Sequence, residues 1–355
     1  MNLKLSHDLK DGLSGIMRLK NEAQFVADSI DSCIDALDEL IIVYNDCTDD
    51  TPNIVERKRK QYPDKIKVYP YKYHLLAYNL TKEEFEYAMS LPEASPVLFC
   101  NQCNFALSKV QYKYAVLIDP DQLYFTDELK KWRDVCVENK MKVDISIFGG
   151  WLFMVYFSIY RRISAYCRKP CLWMLPNWLI YIFARSYLNF AKWNLKKGKV
   201  AVALSGFNVF KDDKWYIPFD GSNIHPPYNG EGDHLIFLVT NETYFYRRAV
   251  KQSKRYAYGV SHSFHCPYKV MFIGPFWFHL HANREYCWNK VKKTKDEHPE
   301  WFVPIELFSE MSYEKVHAKM NEKSHSLYQR TLFALVHKIG IDLIKKHLYL
   351  LQKKD

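Results

Sequence analysis

The sequence predicts an α/β fold, a mixed sheet flanked by helices, on three observations. Strand and helix patterns alternate from the start of the chain, one apolar strand stops abruptly at an acidic pair, and an aromatic helical insert divides the chain midway. With 355 residues and 48% hydrophobic content there is enough apolar surface for a large core, which excludes wholesale disorder.

Gly15 to Leu19 form a short apolar stretch leading into Asn21 and Glu22, after which Phe25, Ile30, Ile34 and Leu37 recur at helical spacing. The chain therefore opens as strand, loop, helix. Leu40 to Tyr44 give a second strand, and the polar cluster NDCTDDTP, rich in turn formers and N-caps, starts a charged helix from about Asn53 to Gln61. Ile66 to Tyr71 supply a third strand, so a βαβαβ opening with right-handed crossovers and a parallel, Rossmann-like sheet is expected. Asn101 to Lys109 read as a helix before the strand Tyr114 to Ile118, which ends at Asp119. In open α/β sheets ligands bind outside the carboxyl ends of the strands, so Asp119 and Asp121 stand where function is expected.

From Phe148 to Lys192 the chain becomes apolar and aromatic, as WLFMVYFSIY and CLWMLPNWLIYIF. Neither run reaches the roughly 20 residues of a spanning helix, and Arg161, Arg162, Arg168 and Lys169 separate them. An in-plane membrane contact or a buried helical hairpin is expected instead. The Gly- and Pro-rich segment PFDGSNIHPPYNGEGDH suggests a shaped active-site loop before the apolar stretch Leu235 to Val239. From about Ser326 to Leu351, Leu332, Leu335, Val336, Ile339, Leu343 and Ile344 at helical spacing, with Lys338, Lys345 and Lys346 among them, predict an amphipathic basic helix.

A net charge of +10 favours anionic partners. The 16% aromatic content suits sugar stacking and membrane interfaces as well as an aromatic-rich core. Nine cysteines, an odd number, suggest reduced thiols rather than a disulfide framework or a zinc site. The opening MNLKLSHDLKDGLSG has no apolar core of secretory length, so a cytoplasmic protein is expected.

Three segments, GIMRLKNEAQFVADSI, LIIVYNDCTDDTP and KYAVLIDPDQLYF, occur in that order between roughly residues 13 and 127. Together they resemble the nucleotide-binding blocks of the inverting family 2 glycosyltransferases with the GT-A fold. The resemblance implies a nucleotide-sugar pocket lined by Met17, Arg18, Asn21, Glu22, Asn45, Asp46, Asp49, Asn104 and Asp119, with the third block as the D-x-D motif. The second block commonly reads Asp-Asp-Gly-Ser-Thr-Asp, whereas this chain has Tyr44, Asn45, Asp46, Cys47, Thr48 and Asp49. Asn45 or Asp46 is then the base contact and Tyr44 a stacking partner, while Thr48 and Asp49 suit equally an Asx turn capping the next helix.

Transfer from a nucleotide sugar needs the leaving diphosphate neutralised, which a cation on Asp119 and Asp121 can do. The family often completes the metal shell with a C-terminal His, and Trp277-Phe278-His279-Leu280-His281 offers His279 and His281 on one strand face. These ligands imply Mn2+ or Mg2+, with imidazole favouring manganese. The general base implied is Asp233, with Glu231 second, in Gly230-Glu231-Gly232-Asp233-His234. Arg284 and Lys290 are candidate diphosphate contacts.

The function implied is metal-dependent, inverting transfer of a hexose from a UDP-sugar to a hydroxyl of a surface glycan, lipopolysaccharide or capsule. Its partners are the UDP-sugar donor, a glycan or lipid-linked glycan acceptor and the inner face of the cytoplasmic membrane, not nucleic acid. The expected division is a nucleotide-sugar-binding half over 1–147, the aromatic insert over 148–198, an acceptor-binding half over 199–290 and a basic helical region over 291–355. Two alternatives stay open: a nucleotidyltransferase, for which Gly12-Leu13-Ser14-Gly15 is a sparse phosphate loop, and a non-catalytic membrane-peripheral scaffold.

Overall fold

The apolar stretch expected from Gly15 begins earlier, as strand β1 (Lys10–Leu19). It is followed by α1 (Val26–Cys33), β2 (Glu39–Tyr44), α2 (Thr51–Gln61), β3 (Ile66–Pro70), α3 (Lys82–Ser90), α4 (Phe99–Leu107) and β4 (Tyr112–Ile118). Next come β5 (Gln122–Tyr124), α5 (Thr126–Val137), α6 (Ile145–Cys167), α7 (Asn177–Lys196), β6 (Val200–Asn208), β7 (Phe210–Lys211) and β8 (Trp215–Pro218). The series continues with β9 (His234–Leu238), β10 (Tyr244–Val250), β11 (Gly259–His265), β12 (Lys269–His279), α8 (Glu285–Glu297), β13 (Phe302–Pro304) and α9 (Ile305–Ser309). The computed structural model describes residues 8–138, 144–167, 177–219, 228–229, 234–252, 257–311, 315–316, 319 and 341–352.

The chain forms two compact units, Met1–Pro120 with Ile236–Lys269 and Asp121–Leu235 with Val270–Asp355. This division differs from four consecutive segments because β10 and β11 return to the first unit. The fold is a mixed sheet flanked by helices. In the first unit the strands lie in the order β3-β2-β1-β4-β9. β1 runs parallel to both β2 and β4, β2 is parallel to β3, and β4 and β9 are antiparallel. The strand order reverses at β1, so the carboxyl ends of β1 and β4 flank a topological switch point, the usual ligand crevice of such sheets.

Ile16, Met17, Leu40, Ile41, Ile42 and Val43 are fully buried, and this continuous run, rather than an alternation, marks strands covered on both faces. Met17 is thus a core residue whose side chain presents no surface to a ligand, which corrects its expected place in the pocket. Glu39 is buried too, but Ser14 Oγ and Lys67 Nζ, each at 2.7 Å, and the Gln111 N–H at 2.6 Å satisfy its carboxylate. The β10–β11 hairpin packs on α4. Asn104 of α4 clamps it there, donating to the Phe245 carbonyl at 2.8 Å and accepting from the Phe245 N–H at 2.7 Å. Both ends of this amide are committed to backbone, so Asn104 is a structural tie and not the nucleotide contact expected.

The second unit contains the strand run β6-β12-β5 and a small sheet β13-β8-β7. The aromatic insert is the hairpin α6–α7. Gly150 lets the two helices meet, since a Cβ there would lie 2.3 Å from the Ser186 carbonyl oxygen. The Tyr187 hydroxyl, donating to the Phe272 carbonyl at 2.8 Å, ties the hairpin to β12. Its inner side is buried, with Phe153 stacked on Phe183, while its outer side is not, so "buried hairpin" holds for one face only. Among the described residues no helix is long and apolar enough to cross a membrane.

Of the expected C-terminal helix, residues 321–340 lie outside the described residues. Residues 341–352 are mostly helical, with Ile344 and Leu351 buried and the His347 ring stacked on Phe125 at 4.4 Å. The described part of the amphipathic face is therefore satisfied within the protein.

Gly206 of β6 faces the Trp277 indole, and a Cβ would approach its Cδ1 to 2.1 Å. Gly206→Ala is therefore expected to lower the unfolding free energy by about 1–3 kcal/mol through overpacking, measured by denaturant titration.

Candidate active site

At the carboxyl ends of β1 and β2 the polar residues first stitch the loops together. Asn21, at φ 56°, donates from Nδ2 to Thr48 Oγ1 at 3.1 Å and accepts from the Thr48 N–H at 2.7 Å. Asp49 accepts from the Ala23 and Thr51 N–H groups, both at 3.0 Å. Partial burial pushes its pKa up, but these hydrogen bonds outweigh it and the net shift is downward. Glu22 joins through its backbone, its N–H donating to Thr51 Oγ1 at 2.7 Å. Thr48 and Asp49 thus brace the turn, through Asn21 and through the Thr51 N–H at the start of α2, and Asn45, buried, accepts from Gln102 Nε2 at 2.7 Å.

Asp46, an exposed acid of this turn, lies 2.7 Å from His74 Nδ1. Its φ is 45°, the left-handed region that favours glycine. It occupies the third place of the block, where the family pattern has Gly. The departure at Asp46 therefore keeps the backbone bend and adds a carboxylate.

At the switch point Arg18 stands one residue before the end of β1. Its guanidinium lies 3.4 Å from Asp119 Oδ1, 3.2 Å from Cys103 Sγ and 3.2 Å from His262 Nε2, over the Phe99 ring at 5.2 Å. Burial works against its charge, and Cys103 and Asp119 more than compensate, so its pKa is raised. Ser29 Oγ donates to the Asp119 carbonyl at 2.9 Å, which fixes the end of β4. His262, Phe99 and Cys103 did not emerge from sequence reasoning. His262 is 244 positions from Arg18, beyond any local pattern, although Cys100 and Cys103 do stand at C-x-x-C spacing on α4, both with free thiols.

The second constellation centres on Asp121, immediately before β5. The pairing of His279 opposite Gln122 sets β12 beside it, and the Leu280 N–H donates to the Asp121 carbonyl at 2.7 Å. His279 Nε2 and His281 Nδ1 each lie 3.5 Å from Asp121 Oδ2, with the two rings stacked at 5.7 Å. The histidines do not share a strand face as expected. His279 ends β12, and His281 starts a 3-10 turn, His281–Asn283, that folds it back. Asn283 holds this turn by donating to the Val209 carbonyl at 2.9 Å and accepting from the Lys211 N–H at 2.7 Å.

His279 Nδ1 lies 2.8 Å from Asn208 Oδ1. With Nδ1–H donating there, the ring is fixed with Nε2 directed at Asp121. Arg284 completes the group, donating to Asp121 Oδ2 from Nη2 at 2.9 Å and Nε at 3.2 Å. Burial alone would raise the Asp121 pKa, but His279, His281 and Arg284 hold it well below the usual carboxylate range.

Candidate ligand atoms of Asp121, His279 and His281 all lie within 4.8 Å of one another. Two ligands at about 2.1 Å from one octahedral cation sit about 3 Å apart, so the three residues fit a divalent metal with little movement. Asp119 is not in this cluster; its carboxylate faces Arg18. Glu231 and Asp233 lie outside the described residues. The following His234 is buried and within 3.0 Å of Gln122 Nε2.

Residues 4–95 match the model of a family described as Beta-1,4-N-acetylgalactosaminyltransferase (CgtA). No curated protein matches the chain. Among solved structures, glucosyl-3-phosphoglycerate synthase from Mycobacterium tuberculosis, in complex with Mn2+, UDP and phosphoglyceric acid, is similar at 19% identity, over 32% of this chain and 34% of that one, with a TM-score of 0.21. TarS from S. aureus (1-349), in complex with UDP, is similar at 18% identity, over 39% of each chain, with a TM-score of 0.25. The chain thus spans well under two thirds of each of these structures.

Because the Asp121 pKa is depressed on folding, its stabilising contribution is present above the ordinary value of 3.8 and is lost as pH falls through the depressed value. Asp121→Asn is expected to cost roughly 3 kcal/mol at neutral pH by removing the buried anion that Arg284 contacts at two points. In acid unfolding curves the gap between variant and wild type should close as pH drops.

Proposed function

We propose that this chain is a GT-A-fold glycosyltransferase, which moves a hexose from a UDP-sugar to a hydroxyl of a surface glycan, of the lipopolysaccharide or capsule type, with inversion. The observation that carries the reading is the cluster of Asp121, His279 and His281. The three ordered sequence blocks and the family match over residues 4–95 support it from the donor side.

In this reading Asp46, Arg18 and Asp119 face the nucleoside, with Asn21, Asn45, Asp49 and Glu22 shaping the loops that hold it. Asp121, His279 and His281 would hold Mn2+ or Mg2+, which when bound supplies positive charge to the leaving diphosphate. Arg284 already forms a two-point contact with Asp121, and it adds a fixed cation on the same side. Transfer with inversion requires a base on the face opposite the leaving group, and Asp233, with Glu231 second, is assigned that proton. His279, half-buried and held by Asn208, and the exposed His281 stacked on it already stand beside Asp121, which favours little reorganisation on donor binding.

Calorimetric titration with UDP is expected to show binding that strengthens with Mn2+. Asp121→Ala should remove that dependence and lower transfer on the order of 10²–10³-fold. Undiminished turnover in the variant would overturn the assignment. Asp233→Asn should keep UDP binding while lowering kcat by about 10²–10⁴-fold. A screen for donors should include UDP-N-acetylgalactosamine beside UDP-hexoses, given the family description.

A further inference from the structure

The outer face of α6 plays no part in the chemistry above. Ile145, Phe148, Leu152, Val155 and Ile159 recur at three- and four-residue steps, which at the pitch of an α-helix confines them to an arc of about 80°. All five are exposed, Ile145 at 88%, Phe148 at 58% and Ile159 at 53%. Trp151 borders the arc, itself exposed and stacked on Phe148 at 5.6 Å. The opposite side of the helix, with Ile147, Gly150 and Phe153, is already used against α7. The helix therefore buries one face and leaves a second, wholly apolar one in water, an arrangement that a soluble surface helix avoids.

Charge selects the occupant. Within α6 and α7 the sequence carries Arg161, Arg162, Arg185, Lys192 and Lys196 and not one Asp or Glu. Arg162 is exposed on the same side as the stripe, and Arg185 is exposed on α7. Asp144, the residue before α6, accepts from the Ser146 N–H at 2.8 Å and faces the charge of Arg185, so it offsets one cation of the set. An apolar stripe with aromatic side chains and a basic rim matches the interface of an anionic bilayer, where a helix lies in the plane with its apolar face about 5–10 Å deep. The helix does not qualify as a span. A second copy docked through the same stripe would bring two basic rims together with no acidic group on either helix to offset them.

We infer that α6 is a membrane-docking element, which seats the protein on anionic phospholipid through Ile145, Phe148, Leu152, Val155 and Ile159. The inference stands apart from the donor chemistry, because none of these residues belongs to the candidate active site. It adds a place for the reaction: an acceptor presented at a lipid surface meets an enzyme already held there.

Flotation of the full chain with vesicles tests it. The protein should float with phosphatidylglycerol-rich vesicles, float less as salt is raised, and stay down with pure phosphatidylcholine. The double variant Phe148→Glu/Leu152→Glu should lose vesicle binding by about tenfold or more, while calorimetric UDP binding stays as in the wild type. Wild-type protein that ignores anionic vesicles, or a double variant that floats as well as the wild type, overturns the inference. So does sedimentation showing a dimer that the double variant dissolves without any vesicle binding. Loss of UDP binding in wild type and variant alike would count against the glycosyltransferase reading and leave the docking result standing.

Discussion

One buried carboxylate organises the second unit. Asp121 is almost entirely removed from water, and an ionised carboxylate there is tolerable only with cationic or hydrogen-bonding partners close by. His279, His281 and Arg284 provide them, and each is fixed by something other than Asp121. The β5–β12 register fixes His279, the 3-10 turn pinned by Asn283 fixes His281, and Arg284 follows at the end of that turn. The backbone bond from Leu280 to Asp121 closes the arrangement. The same feature that makes the site costly to build, a negative charge in a dry place, makes it a receptor for positive charge.

The first unit applies polar residues differently. Most acids and amides at the ends of β1 and β2 are spent on the loops themselves: Asn21 to Thr48, Asp49 to two N–H groups, Asn45 to Gln102. Beside them stand Asp46, exposed and held at a glycine-like φ, and the half-exposed Asp119, which is paired with the largely buried Arg18 at the switch point. A preorganised loop with few unspent groups recognises by shape as much as by charge, since its hydrogen bonds need not be rebuilt when a ligand enters.

The strands were legible because a buried parallel sheet writes continuous apolar runs into the sequence, and Leu40 to Tyr44 and Tyr114 to Ile118 fall within β2 and β4. Asp121, His279 and His281 were named from sequence as well, but on a mistaken premise: a shared strand face would place alternate residues together, whereas a turn after β12 does so. Asn104 was misread because its partner, Phe245, is 141 positions away. Distance also hid His262 and the Asn208 support behind His279. Local pattern reports which residues carry chemistry; tertiary contacts decide whether they are free to use it, and those contacts leave no periodic trace.

The most direct measurement is pulsed electron paramagnetic resonance of Mn2+ bound to the protein in the presence of UDP. Strong nitrogen hyperfine coupling to the metal is expected, weakened in His279→Ala and in His281→Ala and absent when both are replaced. A bound manganese with no nitrogen coupling, or with coupling that survives the double replacement, would contradict the assignment of Asp121, His279 and His281 as the metal site.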